Sequence, residues 1–506
     1  MCEMNSLFLT DMWPVPRICG FAHTMVILTQ TRSLTSANEC NEKKLRPNLL
    51  GLKDARIGTI RGWKNTNHEV KAMLRRKALE EFAAWRDEHG NRALLVTGAR
   101  QVGKTYLVRE FLHAEYENVI EFDLVEQGDV RDAFDAARNV DELFMAISAF
   151  AGQRLVPGKT VIFVDEVQKC KEAVTAIKYL VQREGYDYVL SGSLLGVELR
   201  GVRSLPVGYV RIVDMYPLDF EEFCWANGVG DDVIAETLRC FEDRKPVFGP
   251  VHERLLSLFH HYLMVGGMPA AVERFVADKD MGAVHSVQGD IIRLYREDIS
   301  QYAPDEHKLV IREIFDQIPS QLDSQSKRFT FASIAPRGTY ERYENQVLWL
   351  VDAGVALPAI SVTEPRHPLK LSEKRSYFKL FMDDVGLLCR ACGMDVVKGI
   401  LSDRLGVNYG SVYENAVAQE LKAHGHDLHY FRNKKLGEVD FVCERGGGAV
   451  LPIEVKSGKD YKRHSALSNI LSSPNYEIEQ AIVLCESNVI EDGKVAYLPI
   501  YMIMFV

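Results

Sequence analysis

No stretch of about 18 apolar residues occurs in the 506-residue chain, which excludes an ordinary membrane-spanning helix. The first residues also lack the uninterrupted apolar core of a secretory signal, because Asp11, Pro14, Pro16 and Arg17 break it. Positive charge is not in excess. The formal net charge is -9, so the average field does not attract nucleic acid, and a basic groove would have to be built locally against it. Repeats and low-complexity tracts are missing. The 10 cysteines are scattered singly apart from Cys389 and Cys392, which suits reduced thiols in a cytoplasm better than a disulfide framework. That pair has no second pair or His doublet at ligand spacing, and it sits in the apolar run VGLLCRAC, so packing explains it better than zinc.

What is present is an ordinary globular balance, 47% hydrophobic and 26% charged, in a chain long enough for two to four domains. Residues 1–70 mix Pro, Thr, Asn and basic residues without periodicity and read as a disordered leader or an extension upstream of the true start. An amphipathic run follows, with Leu79, Phe82 and Trp85 on one helical face, and it stops at Gly90. From there to about residue 228, short apolar strands alternate with helical segments: RALLVTG, NVIEFD, TVIFVDE and DYVLSGS are strands. This rhythm predicts an α/β fold over 73–228, a parallel sheet with helices on both faces that binds ligands beyond the carboxyl ends of its strands. Residues 229–305 read as a helical lid or linker. Over 306–400, helix, FASIA, helix and a β-ribbon outline a winged helix. Residues 405–506 open on a helix and continue as strands.

The segment Gly98-Ala99-Arg100-Gln101-Val102-Gly103-Lys104-Thr105 matches the P-loop pattern between a strand and a helix. Its glycines let backbone N–H groups surround phosphate at a helix N-terminus. Lys104 is expected to reach the β- and γ-phosphates of ATP, and the Thr105 hydroxyl to hold Mg²⁺. The strand TVIFVDE ends in Asp165, a ligand for the Mg²⁺ shell, and Glu166, a base for the attacking water. Ser191 and Ser193 close the strand DYVLSGS. Ser193 either senses the γ-phosphate or simply makes a turn.

The phrases LLVTGARQVGKT, VIFVDEVQ, LSGSLLG, YPLDFEEF and YLMVGGMPAAV resemble those of bacterial and archaeal AAA-type ATPases of AAA family 14, which carry a C-terminal domain of unknown function 4143. The resemblance covers roughly residues 73–490, and chains of that group typically begin near RKALEEFAAW. It implies an ATPase, and self-association if a neighbour's arginine completes the site. Many members carry a Gly-Arg pair shortly before the YPL phrase. Here the chain reads SLPVGYVRIVDMYPL, leaving Arg200 and Arg203 as candidate arginine fingers or plain loop residues.

A second constellation joins Glu414 on a helix, Asp440 in GEVDFV, and Glu454 with Lys456 in PIEVKS. Glu454 and Lys456 share one side of a strand, so with Asp440 they are able to ligate a second Mg²⁺ or Mn²⁺ and position a water. This is similar to the core of PD-(D/E)xK restriction-endonuclease-like folds. A surface salt-bridge ladder or an inactive binding platform fits the same residues. DNA or RNA is a candidate partner through this domain and through Lys327, Arg337, Arg342, Tyr340 and Tyr343 of the winged-helix segment, though Glu341, Glu344 and Asp352 dilute that patch. Arg366, Lys370, Lys374 and Arg375 mark the wing, where a solvated loop is the simpler reading.

Overall fold

Five of the apolar runs pair as one parallel sheet: β1 (Ala93–Thr97), β2 (Asn118–Asp123), β3 (Thr160–Asp165), β4 (Tyr186–Ser191) and β5 (Val210–Asp214). Their order is β2-β3-β4-β1-β5, and every pairing is parallel. The structure is a computed structural model and describes residues 74–88, 92–183, 185–198, 208–393 and 410–506. The leader reading of 1–70 and the candidate fingers Arg200 and Arg203 lie outside the described residues.

The strands read as continuous apolar runs because both faces of the sheet are covered. Side chains alternate across it with period two. Leu94, Val96, Val161, Phe163 and Val189 enter one core with Phe82, Leu107 and Phe111 from the helices Ala78–Asp87 and Lys104–Glu115. Leu95, Ile162, Val164 and Leu190 enter another with Phe134, Ile147 and Ile177 from the helices Gly128–Ala136, Val140–Phe150 and Lys171–Val181. Helix ends follow local chemistry. Asp219 and Glu222 form a reciprocal capping box that starts the helix Phe220–Ala226. The Cys170 sulfur accepts from Ala173 N at the start of Lys171–Val181.

Five helices follow, Asp231–Asp243, Gly249–Val265, Pro269–Asp278, Met281–Tyr302 and Lys308–Asp323. Among the described residues no helix is long and apolar enough to cross a membrane. Beyond them the winged-helix outline changes. FASIA yields only a single 3-10 turn, Phe331–Ser333, before the helix Tyr340–Asp352. The ribbon, β6 (Ala356–Val362) with β7 (Glu373–Met382), is not a free wing. Its β6 edge pairs in parallel with β8 (His429–Asn433), and β8 pairs with β9 (Gly437–Val439), giving a four-stranded sheet β7-β6-β8-β9. An exposed strand edge invites pairing, and the C-terminal segment supplies it. The expected nucleic-acid residues are spent accordingly. Lys327 pairs with Glu414, Tyr343 is buried, and Tyr340 packs on Phe331 and Phe378, while Arg337 and Arg342 stay exposed. In the expected wing, Lys370 pairs with Asp427 and Arg366 donates to the Asn475 carbonyl.

The C-terminal part adds a mixed sheet from β10 (Phe441–Glu444), β11 (Val450–Val455), β12 (Ala481–Cys485), β13 (Ile490–Asp492) and β14 (Val495–Pro499), ordered β10-β11-β12-β14-β13. The helix Gly410–Ala423 precedes it and is buried from Ser411 to Leu421 although Ser411, Glu414, Asn415, Gln419 and Glu420 are polar. Such groups are tolerated inside only when hydrogen-bonded. Asn415 brackets Met382, accepting from its N–H at 2.9 Å and donating to its carbonyl at 3.1 Å. Gln419 accepts from Val385 N at 2.8 Å, and Glu420 accepts from Phe220 N at 2.8 Å. This one helix therefore ties the end of β7 to the start of the helix Phe220–Ala226, which follows β5. Cys389 is a buried thiol packed on Met264, and among the described residues it belongs to no group of three metal-donor side chains.

Candidate functional site: a phosphate loop facing two acids

Gly98 leaves β1 with φ 140, and a Cβ there would overlap the Met215 carbonyl oxygen, so the position admits only glycine. Gln101 and Gly103 also have positive φ, and Gly103 caps the helix that begins at Lys104. The loop is held from several directions. Arg76 donates to Val102 O at 3.0 Å and to Glu222 at 3.0 Å. Arg100 is ion-paired with Asp298, and the Tyr295 hydroxyl lies 3.2 Å from Arg100 O and 3.0 Å from Asp383 Oδ2.

Lys104 is 7% exposed, and its ammonium donates to Gly98 O at 3.0 Å and Ala99 O at 2.8 Å. Burial pulls its pKa down to about 8, against the opposing pull of Glu166 and Asp165, while Arg100 adds to the lowering. Its bonded partners are carbonyls, not carboxylates, so its charge is not cancelled by a direct ion pair. Thr105 is half-buried in the first turn of the same helix.

The two acids stand at the tip of β3. β4 lies between β1 and β3, with Ser191 in register with Val96 of β1. Asp165, 4% exposed, accepts from the Ser191 hydroxyl and from Glu166 N at 3.0 Å. Glu166 turns the chain with φ 52. Its carboxylate accepts from Gln168 Nε2 and has the Ser193 hydroxyl 3.3 Å and 3.4 Å from its two oxygens. Gln168 Oε1 is buried without a partner. Sequence reasoning named Gly98 through Thr105, Asp165, Glu166 and Ser193, and the fold gathers them at the carboxyl ends of neighbouring strands. It missed Arg76, Gln168, Tyr295 and Asp298. Arg100 and Asp298 are 198 residues apart, and no local pattern signals such a pair.

The C-terminal constellation also converges. Val455 N donates to Asp440 Oδ2 at 2.9 Å, setting the Asp440 carboxylate beside the strand of Glu454 and Lys456, which are paired at 2.7 Å. Lys379 joins Glu414 at 3.4 Å, Glu438 at 3.0 Å and Asp440 at 3.8 Å. Burial pushes the Asp440 carboxyl up to about 8, with Glu414 and Glu454 adding to it. Lys379 and Glu438 were not among the residues singled out from the sequence, and Lys327, expected at a nucleic-acid surface, instead pairs with Glu414. The signal for Lys379 was a lone cation in the apolar run YFKLFM. Among the described residues, one set of three His, Cys, Asp or Glu donors lies within 4.8 Å of one another, Asp135, Cys170 and Glu172, and its sulfur serves as a helix cap. Glu414, Asp440 and Glu454 are not such a set.

Residues 90–224 match an AAA domain family, AAA_14. Residues 256–398 match the domain of unknown function DUF8612, and residues 409–503 the domain of unknown function DUF4143. No curated protein matches the chain. Among solved structures, the chain is similar to the Walker-type ATPase PABY2304 of Pyrococcus abyssi, at 14% identity and TM-score 0.37, covering 63% of this chain and 96% of that one. It is also similar to the Aeropyrum pernix ORC1 protein in complex with DNA, at 13% identity and TM-score 0.27, covering 66% and 93%. The Thermotoga maritima RuvB Holliday junction branch migration motor follows at 14% identity and TM-score 0.25, covering 58% and 91%. The chain therefore carries a P-loop ATPase domain of the AAA_14 type over residues 90–224, followed by a DUF4143 domain over residues 409–503.

Proposed function

We propose that the chain binds ATP with Mg²⁺ at Gly98–Thr105 and hydrolyses it to ADP and phosphate. The observation that carries this reading is the buried Lys104 ammonium, held only by the loop's own carbonyls, one strand away from an acid pair. The residues fit the ligand. The loop turns through Gly98, Gln101 and Gly103, all at positive φ, into a helix N-terminus that favours phosphate, and Lys104 exchanges two neutral acceptors for charged phosphate oxygens, a stronger bond. Thr105 and Asp165 would hold the magnesium ion, which when bound neutralises charge on the phosphate oxygens. Glu166 takes the proton of the attacking water. To do so it must give up Gln168 and Ser193, so these two residues set how readily the base is released.

Lys104 makes a pH prediction. Its pKa in the folded chain, about 8, lies below the ordinary 10.5, so the fold favours the neutral amine. Below about pH 8 the charged form costs stability, and that cost fades as pH rises toward 10.5. Bound phosphate reverses the preference. At pH 8 ATP binding is therefore accompanied by uptake of about half a proton, and at pH 6.5 by almost none. Calorimetry in two buffers of different ionisation enthalpy measures this. Buffer-independent heats at pH 8 would mean that the lysine does not meet the phosphates.

A contiguous route links this site to the C-terminal half. Arg100 O and Asp383 share the Tyr295 hydroxyl, Asp383 follows β7, and Asn415 of the buried helix brackets Met382 at the end of β7. In our reading, nucleotide state at the loop moves β7 and the C-terminal module with it. Self-association, with Arg200 or Arg203 reaching a neighbour's nucleotide, belongs to the same reading.

A second reading is a metal-dependent nuclease at Glu414, Asp440, Glu454 and Lys456 with DNA or RNA as substrate. It is favoured by the succession of the helix bearing Glu414, the β9–β10 break at Asp440 and Glu454 near the end of β11, and by the hydrogen bond from Val455 N that sets Asp440 beside the strand of Glu454. Incubation with single- and double-stranded DNA and RNA in Mg²⁺ or Mn²⁺ tests it. Cleavage that survives Asp440→Ala would come from elsewhere.

A further inference from the structure

Lys379 stands on β7, outside the C-terminal domain whose carboxylates it meets, and is 1% exposed. Its ammonium lies 3.0 Å from Glu438 Oε1, 3.4 Å from Glu414 Oε2, 3.8 Å from Asp440 Oδ1 and 5.1 Å from the centre of the Tyr430 ring. Lys327 occupies the other oxygen of Glu414. Burial works against the Lys379 charge, but Glu414, Asp440 and Glu438 outweigh it and hold its pKa above the ordinary lysine range. Three carboxylates and an aromatic face around one ammonium make up the environment a bound cation would have.

A divalent ion does not fit the set as it stands. Mg²⁺ needs oxygens at about 2.0–2.1 Å in near-octahedral array. Glu414, Asp440 and Glu454 do not bring their oxygens within 4.8 Å of one another. A metal shared by Glu414 and Asp440 would also have to sit against the Lys379 ammonium, like charge on like. Yet one acceptor is left over. Glu454 Oε2 is buried with no partner, on a side chain 9% exposed, while Oε1 is taken by Lys456. A buried carboxylate oxygen without a donor is costly, and it marks where a cation is wanted.

We propose that Lys379 is the resident cation of this cluster and excludes divalent metal from it, and that Mn²⁺ or Mg²⁺ enters at Asp440 and Glu454 only when the Lys379 ammonium is withdrawn. The inference rests on the nuclease-like reading of the carboxylates. Because β7 runs into Asp383, which shares the Tyr295 hydroxyl with the phosphate loop, the strand that carries the lysine is also the one anchored at the nucleotide site.

The test is Mn²⁺ binding to the nucleotide-free full chain, read by electron paramagnetic resonance. Lys379→Met is expected to bind Mn²⁺ at least about tenfold more tightly than wild type, and Asp440→Asn added to it should erase the gain. Wild type binding as tightly as Lys379→Met overturns the exclusion while leaving the metal site intact. A folded Lys379→Met that binds no better than wild type, with both weak, overturns the metal site and the proposal together. Lys379→Met leaves buried carboxylates unpaired and is at risk of misfolding, so Lys379→Met/Glu414→Gln, which removes one charge of each sign, is measured beside it. That double variant should rise in Tm with Mn²⁺ while wild type does not. Equal shifts in the two proteins contradict the proposal.

Discussion

Lys104→Ala is expected to weaken ATP binding by about a hundredfold, enough to abolish it at micromolar nucleotide. The size follows from the loss of charge-assisted hydrogen bonds, worth about 1.5–3 kcal/mol apiece. The fold itself should survive. The Lys104 ammonium is bonded to Gly98 O and Ala99 O, and burial already disfavours its charge. Removing it takes away an awkward buried cation along with its packing. Equilibrium binding of a fluorescent ATP analogue, with thermal melting as a check on folding, separates the two effects. Retained affinity in a folded Lys104→Ala protein would place the nucleotide somewhere other than this loop.

Glu166→Gln should do the opposite: keep ATP binding and lose turnover, by about 10²–10⁴-fold, the usual contribution of a positioned general base. Glutamine has the same shape, so the bend at φ 52 and the contact with Ser193 are preserved, and only the proton acceptor is lost. Asp165 is different. Its Oδ1 is committed to Ser191 and to the Glu166 N–H, which holds the carboxylate in place, as the proposed role of metal ligand rather than mobile base requires. Normal hydrolysis by Glu166→Gln would assign the base elsewhere, and Gln168 and Ser193 would then be ordinary turn residues.

The parts of this arrangement that were legible in the sequence are those written in short range. The strand–glycine loop–helix of Leu94 to Glu115 and the apolar run ending at Asp165 each lie within about twenty residues, and their patterns follow from covering both faces of a parallel sheet. Strand order was not legible. That β4 slips between β1 and β3, bringing Ser191 onto Asp165, is decided by helix packing on the two faces, which no strand encodes alone.

The middle of the chain was the least readable for the same reason. The ribbon of β6 and β7 looks like a wing locally, yet its edge is satisfied by β8, a strand that comes later in the chain. Lys379 likewise finds Glu414 35 residues away and Glu438 and Asp440 further on, so only its isolation among Phe378, Leu380 and Phe381 hinted that a buried partner was needed. Glu454 and Lys456 were legible together because residues two apart on a strand share a face, and Glu414 and Asp440 joined them through the resemblance to a restriction-endonuclease-like core. That two further lysines fill the set was not, because Lys327 and Lys379 come from a different part of the chain.

The most direct measurement is a crystal structure of the Glu166→Gln protein grown with ATP and Mg²⁺. The expected map has the triphosphate cradled by the backbone of Gly98 to Thr105, the Lys104 ammonium moved from the Gly98 and Ala99 carbonyls to phosphate oxygens, and a metal ion between Thr105 and Asp165. Density for the nucleotide away from this loop, or Lys104 still bonded to its two carbonyls with ATP bound, would contradict the account.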